Sequence, residues 1–122
     1  MKNLGHRLGA SGTILENTVE GLNNSFGLES KPGFRYWELD ARESSDGVIF
    51  VFHDDRISVD GLPTETSKLP FTEIKKAGSD QGIEIPKLEE VIRILSEREE
   101  RVMVEIKQII SEQGREAILD SI

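Results

Sequence analysis

Trp37-Glu38-Leu39-Asp40-Ala41-Arg42-Glu43-Ser44-Ser45-Asp46-Gly47-Val48-Ile49-Phe50-Val51-Phe52-His53 is the stretch on which the fold turns. Its second half is short, apolar and rich in β-branched and aromatic residues, which predicts a strand over Val48 to His53. Phe34 to Asp40 and Arg101 to Ile106 read as strands for the same reason, and each of the three ends in charged or imidazole residues. Asp46-Gly47, between the first two, is a strong signal for a two-residue type I′ hairpin. Such a turn would set Asp40 directly opposite His53, with Cβ atoms ~5 Å apart on one face of the sheet. Glu38 and Asp40 lie two positions apart and share a strand face, as do Glu105 and Lys107 at the end of another strand. A pair of carboxylates at a strand end is a half-site for an oxygen-liganded divalent cation.

Outward from this stretch, Asn17-Thr18-Val19-Glu20 resembles a capping box and predicts a helix over about Thr18 to Leu28. Leu88, Val91, Ile92 and Leu95 recur at helical spacing opposite Glu89, Glu90, Arg93 and Glu97, the clearest amphipathic helix in the chain. Shorter helices are expected over Thr72 to Ala77 and from about Ser111 to the C-terminus. The polar stretch between His53 and Ile83 is punctuated by Asp60-Gly61, Pro63, Pro70 and Gly78, and reads as a long loop with little regular structure. The element order is strand, helix, strand, strand, loop, helix, strand, helix, which favours an α/β arrangement over a β-sandwich. No repeat or linker-like shift divides the chain, so residues 1–122 read as a single unit.

Composition narrows the chemistry. The 122 residues contain 36% hydrophobic and 31% charged residues, the balance of a globular chain rather than a disordered one. No apolar run approaches the ~20 residues of a membrane helix, and the N-terminus carries no apolar signal region, so the expected setting is cytoplasmic. The absence of cysteine removes disulfides, thiol nucleophiles and thiolate zinc sites. With 23 acidic against 15 basic residues the net charge is -8, which opposes nucleic acid and anionic lipid and suits a hard divalent cation. Both histidines fall at strand-to-loop junctions beside a carboxylate or a guanidinium.

Gly5-His6-Arg7, Glu16-Asn17-Thr18, Glu38-Leu39-Asp40, Asp46-Gly47 followed by Val51-Phe52-His53-Asp54, Ile85-Pro86-Lys87-Leu88-Glu89-Glu90 and Glu105-Ile106-Lys107 together resemble the glycerophosphodiester phosphodiesterase family. The resemblance runs from His6 to Lys107, and six motifs in one order carry it. It implies the N-terminal half of a TIM (β/α) barrel, since the whole fold takes roughly 250 residues and eight strands. It also implies hydrolysis of glycerophosphodiesters to glycerol 3-phosphate and an alcohol, with Mg2+ or Ca2+ as cofactor. By resemblance His6 and His53 are the acid/base pair, Arg7 and Lys107 contact phosphate, and Glu38, Asp40 and Glu105 hold the metal. Asn17 and Thr18 are assigned to capping and loop shape, and Glu16 is a possible site residue. The family usually has glycine directly after His-Arg, whereas Leu8 stands here with Gly9 next.

Three readings follow. The first is the hydrolase, acting on a small-molecule substrate. The second is a non-catalytic half-barrel, either an interaction module that a homodimer or a C-terminal half would close, or an inactive fragment. The third keeps the two-histidine, metal-assisted chemistry and changes the substrate, as in sphingomyelinase-D-like and phosphatidylinositol-specific phospholipase C barrels. The Glu-Asn-Thr and Ile-Pro-x-Leu-Glu-Glu runs favour the first.

Overall fold

The computed structural model describes residues 3–108 together with residues 113 and 116; of the helix expected from Ser111 onward, Gln113 and Glu116 are helical and the rest lies outside the described residues. In chain order the elements are α1 (Val19–Ser25), β1 (Trp37–Glu43), β2 (Ile49–Val51), β3 (Arg56–Val59), β4 (Leu62–Glu65), α2 (Phe71–Asp80), α3 (Leu88–Leu95) and β5 (Val102–Gln108). β1 is the middle of a three-stranded sheet, antiparallel to β2 on one side and parallel to β5 on the other, and β3 and β4 form a separate hairpin. The parallel step from β1 to β5 with helices between is the α/β arrangement expected.

Every residue of β1 is buried, and its alternation explains why. Trp37, Leu39 and Ala41 point into a core with Ile49, Val51, Leu8, Leu22 of α1 and Leu88, Val91 and Leu95 of α3. Phe26 and Phe34 meet the Trp37 ring edge-on at 5.9 and 4.9 Å. Glu38, Asp40 and Arg42 take the alternate positions and are buried too. One face of the central strand is therefore hydrophobic and the other is charged and enclosed, so its chemistry is held on a rigid element.

Several boundaries differ from expectation. No strand leads into His6 among the described residues; His6–Gly9 is a tight 3-10 turn with Arg7 at φ 49 and Leu8 at φ 61. Left-handed residues end extended pairing, although Gly5 O still accepts from Glu38 N at 2.9 Å. Gly5 has no alternative there, because a Cβ would meet Tyr36 O at 2.1 Å. Leu8, fully buried, thus adopts the left-handed backbone for which glycine is the ordinary choice. Helix α1 is capped by Thr18, whose side chain accepts from Gly21 N at 2.9 Å, and not by Asn17.

Asp46-Gly47 does not form a two-residue turn. The partners are Ala41 with Val51, Arg42 with Phe50 and Glu43 with Ile49, one residue out of the expected register. Ser45-Asp46-Gly47 is a three-residue loop, closed by Ser44 N to Val48 O at 2.9 Å, with Gly47 at φ 81. Asp40 O therefore accepts from Phe52 N, and His53 lies beyond the end of β2 instead of opposite Asp40. The reason is side-chain traffic: Asp46 Oδ1 accepts from Ser44 Oγ and from Phe71 N, tying the loop to the start of α2.

The stretch between His53 and Ile83 is structured, which corrects the expectation of a long loop. Ile57, Leu69, Phe71, Ile74 and Ala77 bury themselves with Phe50 and Ile85 in a second core. Asp60-Gly61, at φ 51 and 82, makes the two-residue turn between paired Val59 and Leu62.

Candidate active site

Three carboxylates converge where β1 and β5 run side by side. Glu38 and Asp40 project from one face of β1, and the parallel register sets Glu105 beside Asp40. Each of the three offers an oxygen within 4.8 Å of the others. Glu38 and Asp40 are 5% and 1% exposed, while Glu105 is open to solvent. Glu38 Oε2 accepts from Arg7 N at 2.9 Å, but its Oε1 is buried with no hydrogen-bond partner among the described residues. Burial, reinforced by Asp40, pushes the Glu38 carboxyl up to about 7, against the pull of the Arg7 N–H. An enclosed acid oxygen without a donor, among other acids, fits a hard divalent cation, which would satisfy that oxygen and the local charge together.

Cations frame the cluster. Lys107 Nζ is 2.9 Å from Glu105 Oε1 and 3.9 Å from Asp40 Oδ1. Hydrogen bonding to Glu105 raises the Lys107 pKa, and the same bond lowers that of Glu105. β5 carries an irregularity here, since Ala41 pairs with Ile106 and Arg42 with Gln108, so Lys107 is the extra residue. Arg7 Nη1 donates to Glu16 Oε2 at 2.8 Å, and its Nε is buried without a partner among the described residues. His6 Nε2 is 3.6 Å from Glu38 Oε2, and its Nδ1 is 2.9 Å from Ser11 Oγ.

Six of the seven expected residues thus assemble around β1 and β5. His6, Arg7 and Glu38 line a cavity of about 500 Å3 with Asn3, Ser11 and Tyr36. His53 is the exception: it lines a neighbouring recess of about 220 Å3 with Glu16, Asn17 and Phe52, and its Nδ1 is 2.8 Å from Asp54 Oδ1. Residues of one loop wall both spaces, with Ser11 and Gly12 on the first and Thr13, Ile14, Glu16 and Asn17 on the second. Arg42, absent from the expected set, fixes the backbone at His53 by donating from Nη2 to His53 O at 2.6 Å. Asn17 was also missed: its side chain bonds to Asp40 and makes no cap contact. The one available signal was that Thr18, the next residue, is also a favoured cap.

Parallel strands with intervening helices and an acid cluster between adjacent strands define a partial α/β barrel of the TIM type. The chain belongs to the Glycerophosphoryl diester phosphodiesterase family, whose model matches residues 6–118. It is 36% identical over 84 residues to the "Probable glycerophosphodiester phosphodiesterase 2" of Mycobacterium tuberculosis, covering 68% of this chain and 31% of the relative. Among solved structures it resembles an Oleispira antarctica phosphodiesterase in complex with the product sn-glycerol-3-phosphate, at 29% identity and TM-score 0.67, covering 92% of this chain and 48% of that one. A glycerophosphodiester phosphodiesterase from Parabacteroides distasonis shares the fold at TM-score 0.70 and 19% identity, over 95% of this chain and 48% of that one. The chain spans about a third to a half of the length of these proteins. Among the described residues no helix is long and apolar enough to cross a membrane.

Proposed function

We propose that this chain carries the metal-binding and acid/base portion of a phosphodiesterase that hydrolyses glycerophosphodiesters to sn-glycerol 3-phosphate and an alcohol. The observation that carries the reading is the meeting of Glu38, Asp40 and Glu105 oxygens within 4.8 Å beside His6 and Arg7. The three carboxylates are the residues to hold Mg2+ or Ca2+. When bound, the cation supplies Lewis-acid polarisation of the phosphoryl oxygens.

The chain's own side chains do the rest. The Arg7 guanidinium, which lines the cavity beside Glu38, is a donor for a phosphate oxygen, and Glu16 holds it in place. Lys107 adds a point charge against negative charge building in the transition state. One histidine of the pair His6 and His53 takes the proton from the glycerol hydroxyl as its oxygen bonds to phosphorus. The other gives a proton to the departing alcohol, and water then opens the cyclic phosphate. Ser11 and Asp54 fix the ring orientations of His6 and His53 respectively. The product bound to the Oleispira relative supports this substrate class.

A protein bearing this chain is expected to release sn-glycerol 3-phosphate from glycerophosphodiesters in the presence of Mg2+ or Ca2+. His53→Ala is expected to abolish turnover without loss of thermal stability, whereas full turnover in that variant would overturn the acid/base assignment.

A second reading is supported by β5. It is the edge of its sheet among the described residues, and Met103 and Ile106 on it are 48% and 54% exposed. An open strand of this kind calls for a further strand, from a second copy or from additional chain, to close the barrel. A dimer by light scattering that lacks phosphodiesterase activity would favour a non-catalytic module.

A further inference from the structure

Asn17, in the loop before α1, is a buried polar side chain that the chemistry above does not use. It is 2% exposed and holds a left-handed backbone at φ 60. Its Nδ2 donates to Asp40 Oδ2 at 2.9 Å, and its Oδ1 accepts from the backbone N of Asp40 at 3.3 Å. The orientation of the amide is dictated by these partners. A carboxylate can only accept and a backbone N–H can only donate, so a flipped amide would lose both contacts. The backbone N–H of Asn17 in turn donates to Arg7 O at 2.9 Å, anchoring the loop to the turn that carries Arg7.

We propose that Asn17 is a positioning residue that fixes the rotation of the Asp40 carboxylate for divalent-cation binding. With Oδ2 held by the amide, Oδ1 is left on the side of Lys107, 3.9 Å away, and Lys107 itself binds Glu105. At 1% exposure Asp40 has almost no access to solvent that could do this work instead. Partners that orient a ligating side chain commonly alter metal affinity by about 10- to 100-fold when removed. A helix-capping role does not account for the side chain, because Thr18 provides the cap. The proposal rests on the metal site of the preceding section.

The test is the Mn2+ affinity of the full chain, read by electron paramagnetic resonance of free Mn2+, for the wild type, Asn17→Gly and Asn17→Ser. Circular dichroism and thermal melts establish folding. Glycine keeps the left-handed backbone and deletes the amide, whereas serine deletes the amide and strains φ. Affinity is expected to fall about 10- to 100-fold in both folded variants, while serine lowers the melting temperature further than glycine. An unchanged Mn2+ affinity in either folded variant overturns the positioning role and leaves the metal site standing. A wild-type chain that binds no Mn2+ overturns both.

Discussion

Lowering the pH should weaken divalent-cation binding, and Glu38 sets the range over which it does so. Its carboxyl is raised to about 7, first by burial and then by the nearby Asp40 charge. A proton and a cation compete for the same carboxylate, so only the ionised fraction is available to the metal. Between pH 8 and pH 6 that fraction falls from about nine-tenths to about one-tenth, a loss of about tenfold in affinity or ~1.4 kcal/mol. Calorimetric titration of Mg2+ in buffers of different ionisation enthalpy reads both quantities, and should find close to one proton released per ion at pH 6 and few at pH 8. Glu38→Gln should flatten the dependence. Affinity unchanged across this range in the wild type, with no proton release, would refute the reasoning. Stability provides a linked readout. Glu38 ionises at 4.5 in the unfolded chain but near 7 in the folded one, so between these values the folded chain retains a proton that the unfolded chain has released. The metal-free protein should therefore lose stability as pH rises from about 4.5 to 7, by at most ~3 kcal/mol, and saturating Mg2+ should reverse the loss.

Two further predictions concern the scaffold. Arg98 lies 4.0 Å over the Phe26 ring and donates to Glu29 at 2.8 Å and Glu100 at 2.6 Å, so Arg98→Ala should cost ~1–2 kcal/mol by urea denaturation. Gly61 holds φ 82 in a two-residue turn with open space around it, so Gly61→Ala should lower stability by ~1–2 kcal/mol through backbone strain alone, and Gly61→Asn by less.

What could be read in advance divides along a physical line. Leu88, Val91 and Leu95 announced α3 correctly because a stripe at helical spacing is a local signal that tertiary packing reinforces. Glu38 and Asp40 could be placed on one face by strand alternation, whereas the meeting of Glu105 and Lys107 with them was implied only by the family resemblance, since Lys107 sits at an irregularity that alternation does not foresee. The register around Asp46 could not, because it depends on where the Asp46 carboxylate bonds, and that partner, Phe71 N, is 25 residues away in the chain. The same dipeptide at Asp60-Gly61 makes the tight turn, with Val59 and Leu62 paired across it. β3 and β4 were hidden for a related reason: Ile57 is their lone buried apolar residue in a polar stretch, and only the surface of Phe50 and Ile85 draws it into a core. α2, read as Thr72 to Ala77, runs longer, Phe71–Asp80, because Phe71 and Ile74 join the same core. Asn17 was mistaken for a cap because local spacing favours that role, while its bonds to Asp40 span 23 residues.

The central claim is that Glu38, Asp40 and Glu105 form one divalent-cation site, and a calorimetric titration of the chain with Mg2+ and with Ca2+ at pH 8 tests it most directly. One ion per chain is expected for the wild type, and the Glu38→Ala/Asp40→Ala double variant should lose that binding while keeping its circular dichroism spectrum. Absence of binding in the wild type, or the same affinity in the folded double variant, would contradict it.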